Sequence, residues 1–138
     1  MTWPFHTSHF VFPPPMTSLR ASRFVSVHCN AGGGTGIETW VHDNANNYAV
    51  NFASAVQQRM VRSLGVTNRG VKRCPSQRQG QNIYVLDPVN ISAWAILPEV
   101  MFMDRASDLE KLISASFRQS AGFAIANGIR NFLDSMPQ

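Results

Sequence analysis

Residues 24–42 read FVSVHCNAGGGTGIETWVH, and this stretch sets the start of the fold. Phe24 to His28 is an apolar run that closes on a histidine, which is typical of a short buried strand. The glycines at 32–34 break the run, and Thr39 to Val41 predicts a second strand beyond them. The stretch therefore predicts a strand, a turn and a strand, with an imidazole at the end of the first strand.

A helix is predicted directly after this unit. Asp43 or Asn44 is a suitable N-cap, and Gly65 is a suitable residue to end the helix. Between them, apolar residues recur at every fourth position and so fall on one helical face, namely Phe52, Val56, Met60 and Leu64. This spacing predicts an amphipathic helix that packs against a sheet.

The second half of the chain continues the alternation of strands and helices. Ile83 to Leu86 is strand-like, and Ala93 to Leu97 is an apolar run typical of a buried strand. A short helix is predicted from Asp104 to Leu112 with Ser107 as a cap, and Ser114 is expected to cap another. The inward stripe of that last helix is Phe117, Ala121, Ile125, Ile129 and Phe132. The pattern predicts an α/β fold with a mixed or mostly parallel sheet flanked by helices.

Composition narrows the class of protein. A chain of 138 residues with 44% hydrophobic and 14% charged residues is expected to fold as one domain with a real core. No apolar run is long enough for a membrane helix, and no signal peptide is seen, so synthesis in the cytoplasm is expected. Two cysteines do not form a disulfide framework, and Cys29 is expected to pack as a small hydrophobe.

The net charge of +4 suits an anionic partner, either a nucleic acid or an acidic wall polymer. The alternative is an ordinary solvated helix end and loop. The charge comes largely from Arg59, Arg62, Arg69, Lys72, Arg73 and Arg78. No aromatic residues alternate with these arginines as single-strand binding would require, so a nucleic-acid module is the least favoured reading.

Two ionisable residues stand at the ends of apolar strands. His28 closes FVSVH and Glu99 closes AILPE, and ligands of open α/β sheets bind at the carboxyl ends of strands. A carboxylate against apolar neighbours has a raised pKa, which suits acid/base catalysis. The alternatives are a hydrogen-bonded core histidine and a glutamate that emerges into solvent. Cys29 is not expected to pair with His28, since successive strand side chains point to opposite faces. His6 and His9 are assigned to an N-terminal tail.

Four motifs in this order resemble the zinc-dependent N-acetylmuramoyl-L-alanine amidases of the amidase_3 type, including phage endolysins. They are SVHCNAGGGTGIETWVH, LGVTNRGVK, AILPEVMFM and AIANGIRNFL, and the resemblance runs from about Ser18 to Leu133. It implies an amidase/phosphorylase-like α/β fold that hydrolyses the amide between N-acetylmuramic acid and L-alanine in peptidoglycan.

The resemblance also implies roles for individual residues. His28 resembles a zinc ligand of the family and Glu99 its catalytic glutamate. Glu38 matches a position read as structural, while Asn30 and Arg69 match positions near the cleft and are expected to contact substrate. In such a site zinc lowers the pKa of its bound water and polarises the carbonyl, while the glutamate carries the proton to the leaving amine.

The chain departs from the family pattern in its first part. The family begins with a strand ending in His-Gly and then a Glu, which supply two further zinc ligands, whereas the first acidic residue here is Glu38. Residues 1–17 are expected to form an irregular non-family segment, and residues 18–138 a partial catalytic domain with an uncovered sheet edge that favours self-association. Weak zinc binding and little amidase activity follow. A truncated gene, a degenerate relative, or completion by another chain would each explain the pattern. The alternative function is a non-catalytic wall-binding remnant.

Overall fold

The strand, turn and strand predicted from residues 24–42 are present in the computed structural model, which describes residues 22–91 and 94–137. The first strand is interrupted, giving β1 (Arg23–Val25) and β2 (His28–Asn30), and the glycine-rich loop leads to β3 (Ile37–His42). These are followed by α1 (Asn47–Leu64), β4 (Asn68–Cys74), β5 (Trp94–Phe102), α2 (Ala106–Ile113) and α3 (Ala115–Asp134).

The sheet is mixed, with β5 at its centre. β1 and β2 both run parallel to β5 on one side, β3 runs antiparallel to it on the other side, and β4 pairs in parallel with β3. The predicted α/β fold with a mixed, mostly parallel sheet is therefore confirmed. β4 had no counterpart in the sequence prediction, because its polar residues do not show a buried strand pattern.

The helices cover one face of the sheet and form the main core. The stripe predicted for α1 is correct, since Phe52, Val56 and Met60 are fully buried and Leu64 packs beside them. Gly65 ends the helix in the left-handed conformation with φ of 61°, as predicted. In α3, Ala121, Ile125 and Phe132 are buried, with Phe117 and Ile129 partly so, and Ser114 caps the helix.

The opposite face of the sheet has a smaller core around Trp40 and Leu97. Residues 75–91 cover it with Ile83, Val85 and Leu86. Glu38 and Glu99 alternate with Trp40 and Leu97 along β3 and β5, so the candidate site lies beside the smaller core.

Three local predictions are wrong. Tyr84–Leu86 is a 3₁₀ turn rather than a strand, because its apolar side chains pack down onto the sheet without joining a ladder. Asn46 caps α1, since the carboxylate of Asp43 is taken by the hydroxyl and backbone N–H of Ser76. Ser107 lies inside α2 and does not cap it.

Two further expectations concern the termini and Cys29. The predicted boundary at residues 17–18, and the assignment of His6 and His9 to a tail, lie outside the described residues. Cys29 is exposed and not packed, because β2 lies on the outer side of β5. Within the described ranges, the helices fall short of the length and apolarity needed to cross a bilayer.

Candidate active site

The sheet places the strands that carry the five predicted site residues next to one another. His28 of β2 is the register partner of Glu99 in β5, and Glu38 of β3 is the partner of Glu99 on its other side. In the antiparallel pair, directly opposite side chains such as those of Glu38 and Glu99 share a face and lie about 5 Å apart at Cβ. Asn30 and Arg69 join this row through hydrogen bonds to Glu38.

Glu38 is buried at the centre of a saturated network. Its Oε1 accepts hydrogen bonds from Asn30 Nδ2 at 2.8 Å and Trp40 Nε1 at 3.0 Å, and its Oε2 accepts one from Arg69 Nε at 2.6 Å. With its oxygens occupied by these donors, Glu38 fits the structural position that the resemblance assigns to it. The network also fixes the side chains of Asn30 and Arg69.

Arg69 is held on two sides. Its Nε–H is paired with Glu38, and its guanidinium lies over the ring of Phe102 with 4.8 Å between Cζ and the ring centroid. About a third of the Arg69 side chain is exposed, and its hydrogen bond to Glu38 uses Nε. The ion pair and the ring contact together hold the guanidinium next to Glu38.

Glu99 is the group in this row whose charge is least compensated. Its Oε2 is buried and has no hydrogen-bond partner within residues 22–91 and 94–137. Burial raises the pKa of Glu99, the neighbouring charge of Glu38 raises it further, and Arg78 opposes them. The sequence-based expectation of a raised pKa is confirmed. A buried carboxylate oxygen without a partner is uncommon, and such a group is a candidate functional residue.

The positions of His28 and Glu99 along their strands differ from the prediction. His28 begins β2 and does not end a strand, because the chain is interrupted after Val25. Glu99 lies inside β5, which continues through Phe102. The two residues are nevertheless register partners, since the parallel pairing of β2 with β5, and not the strand ends, aligns their backbones.

His28 is exposed, and its Nε2 lies 2.9 Å from the hydroxyl of Ser26. Within the described ranges, no group of three or more His, Cys, Asp or Glu side chains is arranged to hold a metal. Catalytic zinc usually has three protein ligands and a water. The described residues therefore do not fit a complete zinc centre, although His28 has the chemistry of one ligand.

Sequence reasoning missed the residues that hold the loop between β2 and β3. Asp104 accepts hydrogen bonds from the backbone of Gly32 and Gly33, and Asp108 from Thr35, Gly36 and Phe102. Both aspartates follow shortly after the apolar strand β5 in the sequence. This was a usable signal, because ligands of open α/β sheets bind near the carboxyl ends of strands. Phe102 gave no signal, since its contact with Arg69 depends on strand pairing.

The basic residues do not form one surface. Arg59 and Arg62 are exposed on α1, as the solvated-helix alternative expects. Arg73 donates to the backbone carbonyl of Asp43 at 2.9 Å and so has a local structural partner. Two of the basic residues act on the site. Arg69 forms an ion pair with Glu38, and the positive charge of Arg78 lowers the pKa of Glu99.

The described site combines a mixed α/β sheet with a partly buried glutamate and a histidine on the neighbouring strand. Residues 16–131 match the family described as N-acetylmuramoyl-L-alanine amidase, Amidase_3. The chain belongs to this amidase family.

Relatives with known names agree with this assignment. The chain is 31% identical over 109 residues to the sporulation-specific N-acetylmuramoyl-L-alanine amidase of Bacillus subtilis, covering 79% of this chain and 39% of that protein. It is 31% identical over 112 residues to the amidase CwlM of Bacillus licheniformis, covering 81% and 41%. The catalytic domain of CwlV, the amidase of Bacillus (Paenibacillus) polymyxa, superposes with a TM-score of 0.72 at 27% identity, covering 88% and 63%. The chain thus spans about two fifths of the length of these two curated relatives.

Proposed function

We propose that this chain carries part of the active site of a peptidoglycan amidase, which cleaves the amide between N-acetylmuramic acid and L-alanine. Glu99 is the catalytic residue of the proposal. The observation that supports it best is the buried Oε2 of Glu99, which has no hydrogen-bond partner among the described residues. Glu99 is also the register partner of His28 on the neighbouring strand.

The proposed chemistry of Glu99 is proton transfer. Amide hydrolysis requires a base to take a proton from the attacking water and an acid to deliver a proton to the leaving nitrogen. A carboxyl group whose pKa is raised by burial and by Glu38 holds a proton closer to neutral pH than a solvated glutamate does. Glu99 would therefore take the proton from water and pass it to the amine of L-alanine.

The neighbouring residues receive supporting roles. Asn30 and Arg69 are proposed to contact the substrate, because both are fixed by Glu38 and Arg69 keeps part of its guanidinium exposed. Glu38 is proposed to act structurally. The peptide stem of peptidoglycan carries carboxylates, and an exposed guanidinium is a natural partner for such a group.

Zinc is the cofactor proposed for this family site, with His28 as the ligand that the described residues offer. One ligand does not hold zinc tightly, so we expect the isolated chain to bind the metal weakly and to show little amidase activity. The further ligands would have to come from outside the described residues. An endolysin-like role at the cell wall, after synthesis in the cytoplasm, is part of the same proposal.

Self-association is the accompanying proposal for the sheet edge. On the side of β1 and β2 away from β5, no described strand pairs, and Val27 on this edge is 54% exposed. A cavity of about 380 Å³, lined mainly by apolar side chains, lies between β2 and α3. Light scattering at increasing protein concentration tests this: a constant monomer mass over the soluble range would contradict it.

The function itself is tested on peptidoglycan. The purified chain is dialysed against zinc, its metal content is measured, and release of soluble stem peptide from purified sacculi is followed for the wild type and Glu99→Ala. We expect substoichiometric zinc and slow release at most, with any release lost in Glu99→Ala. Stoichiometric zinc with rapid, Glu99-dependent release would overturn the expectation of weak activity. Release that survives Glu99→Ala would remove Glu99 from the mechanism.

A non-catalytic wall-binding remnant is the second candidate. The incomplete ligand set among the described residues favours it. Binding to sacculi that Arg69→Ala weakens, with no stem peptide released under any zinc concentration, would support this alternative over the amidase.

A further inference from the structure

Two carboxylates that the proposed reaction does not use hold the loop beside the site. Asp104 is exposed and accepts hydrogen bonds from the N–H groups of Gly32 at 2.7 Å and Gly33 at 2.8 Å. Asp108 is 1% exposed and accepts three bonds, from Thr35 Oγ1 at 2.6 Å and from the N–H groups of Gly36 and Phe102, each at 3.0 Å. Asp108 thus joins two pieces of chain through one side chain, namely the loop at Thr35 and Gly36 and the end of β5 at Phe102.

Each of those pieces leads to a residue that touches the network of Glu38. The loop begins directly after Asn30, and Gly36 is followed by Ile37 and Glu38. The ring of Phe102 packs against the guanidinium of Arg69. The backbone of Asn30 is in turn tied to the end of β5, since its carbonyl accepts a bond from the N–H of Met103 at 2.8 Å.

The loop and Phe102 are packed tightly against each other. A Cβ built on Gly34 would lie 2.5 Å from Cζ of the Phe102 ring, so the ring leaves no room for a larger residue at this position. A shift of the Phe102 backbone would therefore move both the loop and the surface on which Arg69 rests. Interiors packed in this way transmit small displacements to their neighbours.

We propose that Asp108 is a positioning residue that sets the placement of Asn30 and Arg69 through Gly36 and Phe102. The proposal rests on the proposed function only in taking these two residues as substrate contacts. The charge of Asp108 matters, because all three partners are donors and an ionised carboxylate accepts such bonds more strongly than a neutral group. The isosteric Asp108→Asn would keep one oxygen for Gly36 and Phe102 but lose the charge, and its N–H groups would face Thr35, whose hydroxyl would have to change from donor to acceptor.

The test compares Asp108→Asn with Glu110→Gln, an exposed carboxylate-to-amide change on the same helix. Two resonances are followed by ¹⁵N NMR: the Nε–H of Arg69 and the side-chain amide of Asn30. Both donate to Glu38 in the wild type. Muramyl dipeptide is the binding probe, titrated against each protein.

We expect Asp108→Asn to shift both resonances and to weaken muramyl dipeptide binding by about tenfold, while Glu110→Gln changes neither. Thr35→Val removes one bond to Asp108 and should move the same resonances less, which keeps the test valid if Asp108→Asn does not fold. A folded Asp108→Asn or Thr35→Val variant with both resonances unchanged would overturn the proposal. If such a variant lost only stability, the role of Asp108 would be purely structural. If the wild type does not bind the dipeptide, the proposed substrate contacts fail, and the resonances still decide the role of Asp108.

Discussion

Replacing Glu99 with glutamine is expected to stabilise the fold at neutral pH while removing the proposed catalytic proton. The ionised form of Glu99 is disfavoured for two reasons: its Oε2 is buried without a hydrogen-bond partner among the described residues, and Glu38 beside it carries a charge of the same sign. A like charge directly opposite on a neighbouring strand costs roughly 0.2–1 kcal/mol, and a buried polar atom without a partner about 1–3 kcal/mol. Glutamine removes the charge but keeps a polar end in the same place, so we expect a net gain of about 1 kcal/mol.

The sign of the pH dependence follows from the raised pKa. The folded wild type retains the Glu99 proton to a higher pH than the unfolded chain does, so its stability falls as pH rises from the unfolded pKa through the folded pKa. Glutamine does not titrate. The advantage of Glu99→Gln should therefore be small below about pH 3, where the glutamate is protonated in both states of the wild type, and should grow as the pH rises through the folded pKa.

Urea unfolding followed by tryptophan fluorescence measures this difference at several pH values. A gain of about 1 kcal/mol corresponds to a rise in Tm of roughly 3 °C for a domain of this size. Glu110→Gln, exposed on α2, is the matched control and should change stability by less than about 0.5 kcal/mol. A loss of stability in Glu99→Gln, or a gain that is equal at acid and neutral pH, would refute the reasoning.

Three further predictions concern the packing and the network of this fold. Glu38→Ala leaves three donors without their acceptor and should cost about 2–3 kcal/mol in urea unfolding; a cost below about 0.5 kcal/mol would contradict the network. Gly128→Ala should destabilise by about 1–3 kcal/mol, because its Cβ would lie 2.7 Å from Val56 Cα, whereas Gly122→Ala meets no atom within 4 Å and should stabilise by about 0.5–1 kcal/mol. The order of the two Tm values checks this pair. EDTA should leave the Tm of the isolated chain within about 1 °C, and a large rise on adding zinc would contradict weak binding.

The hydrophobic spacing in the sequence was sufficient to predict the two long helices that cover the sheet. The four-residue recurrence from Phe52 and the stripe that includes Ile125 and Phe132 gave both long helices, because burial of one face dominates helix stability in a folded domain. The residues that cap the helices were harder to predict from the sequence than the helices themselves. Asn46 replaced Asp43 as the cap of α1 because Ser76, distant in sequence, already occupies the Asp43 carboxylate.

The sequence by itself determined the α/β class, the two core helices and the two ionisable residues on apolar strands, His28 and Glu99, since these depend on residue type and local period. Asn30, Glu38 and Arg69 became candidates through the resemblance to the amidase family. Only the tertiary structure decided their arrangement. Strand register aligned His28, Glu99 and Glu38 in one row, although neither His28 nor Glu99 ends a strand as the sequence suggested. Asp108 and Phe102 gained their contacts with the loop and with Arg69 from pairings between distant segments, which no local pattern encodes. The raised pKa of Glu99 shows both contributions: its apolar strand was visible in the sequence, but the charge of Glu38 beside it came from the sheet.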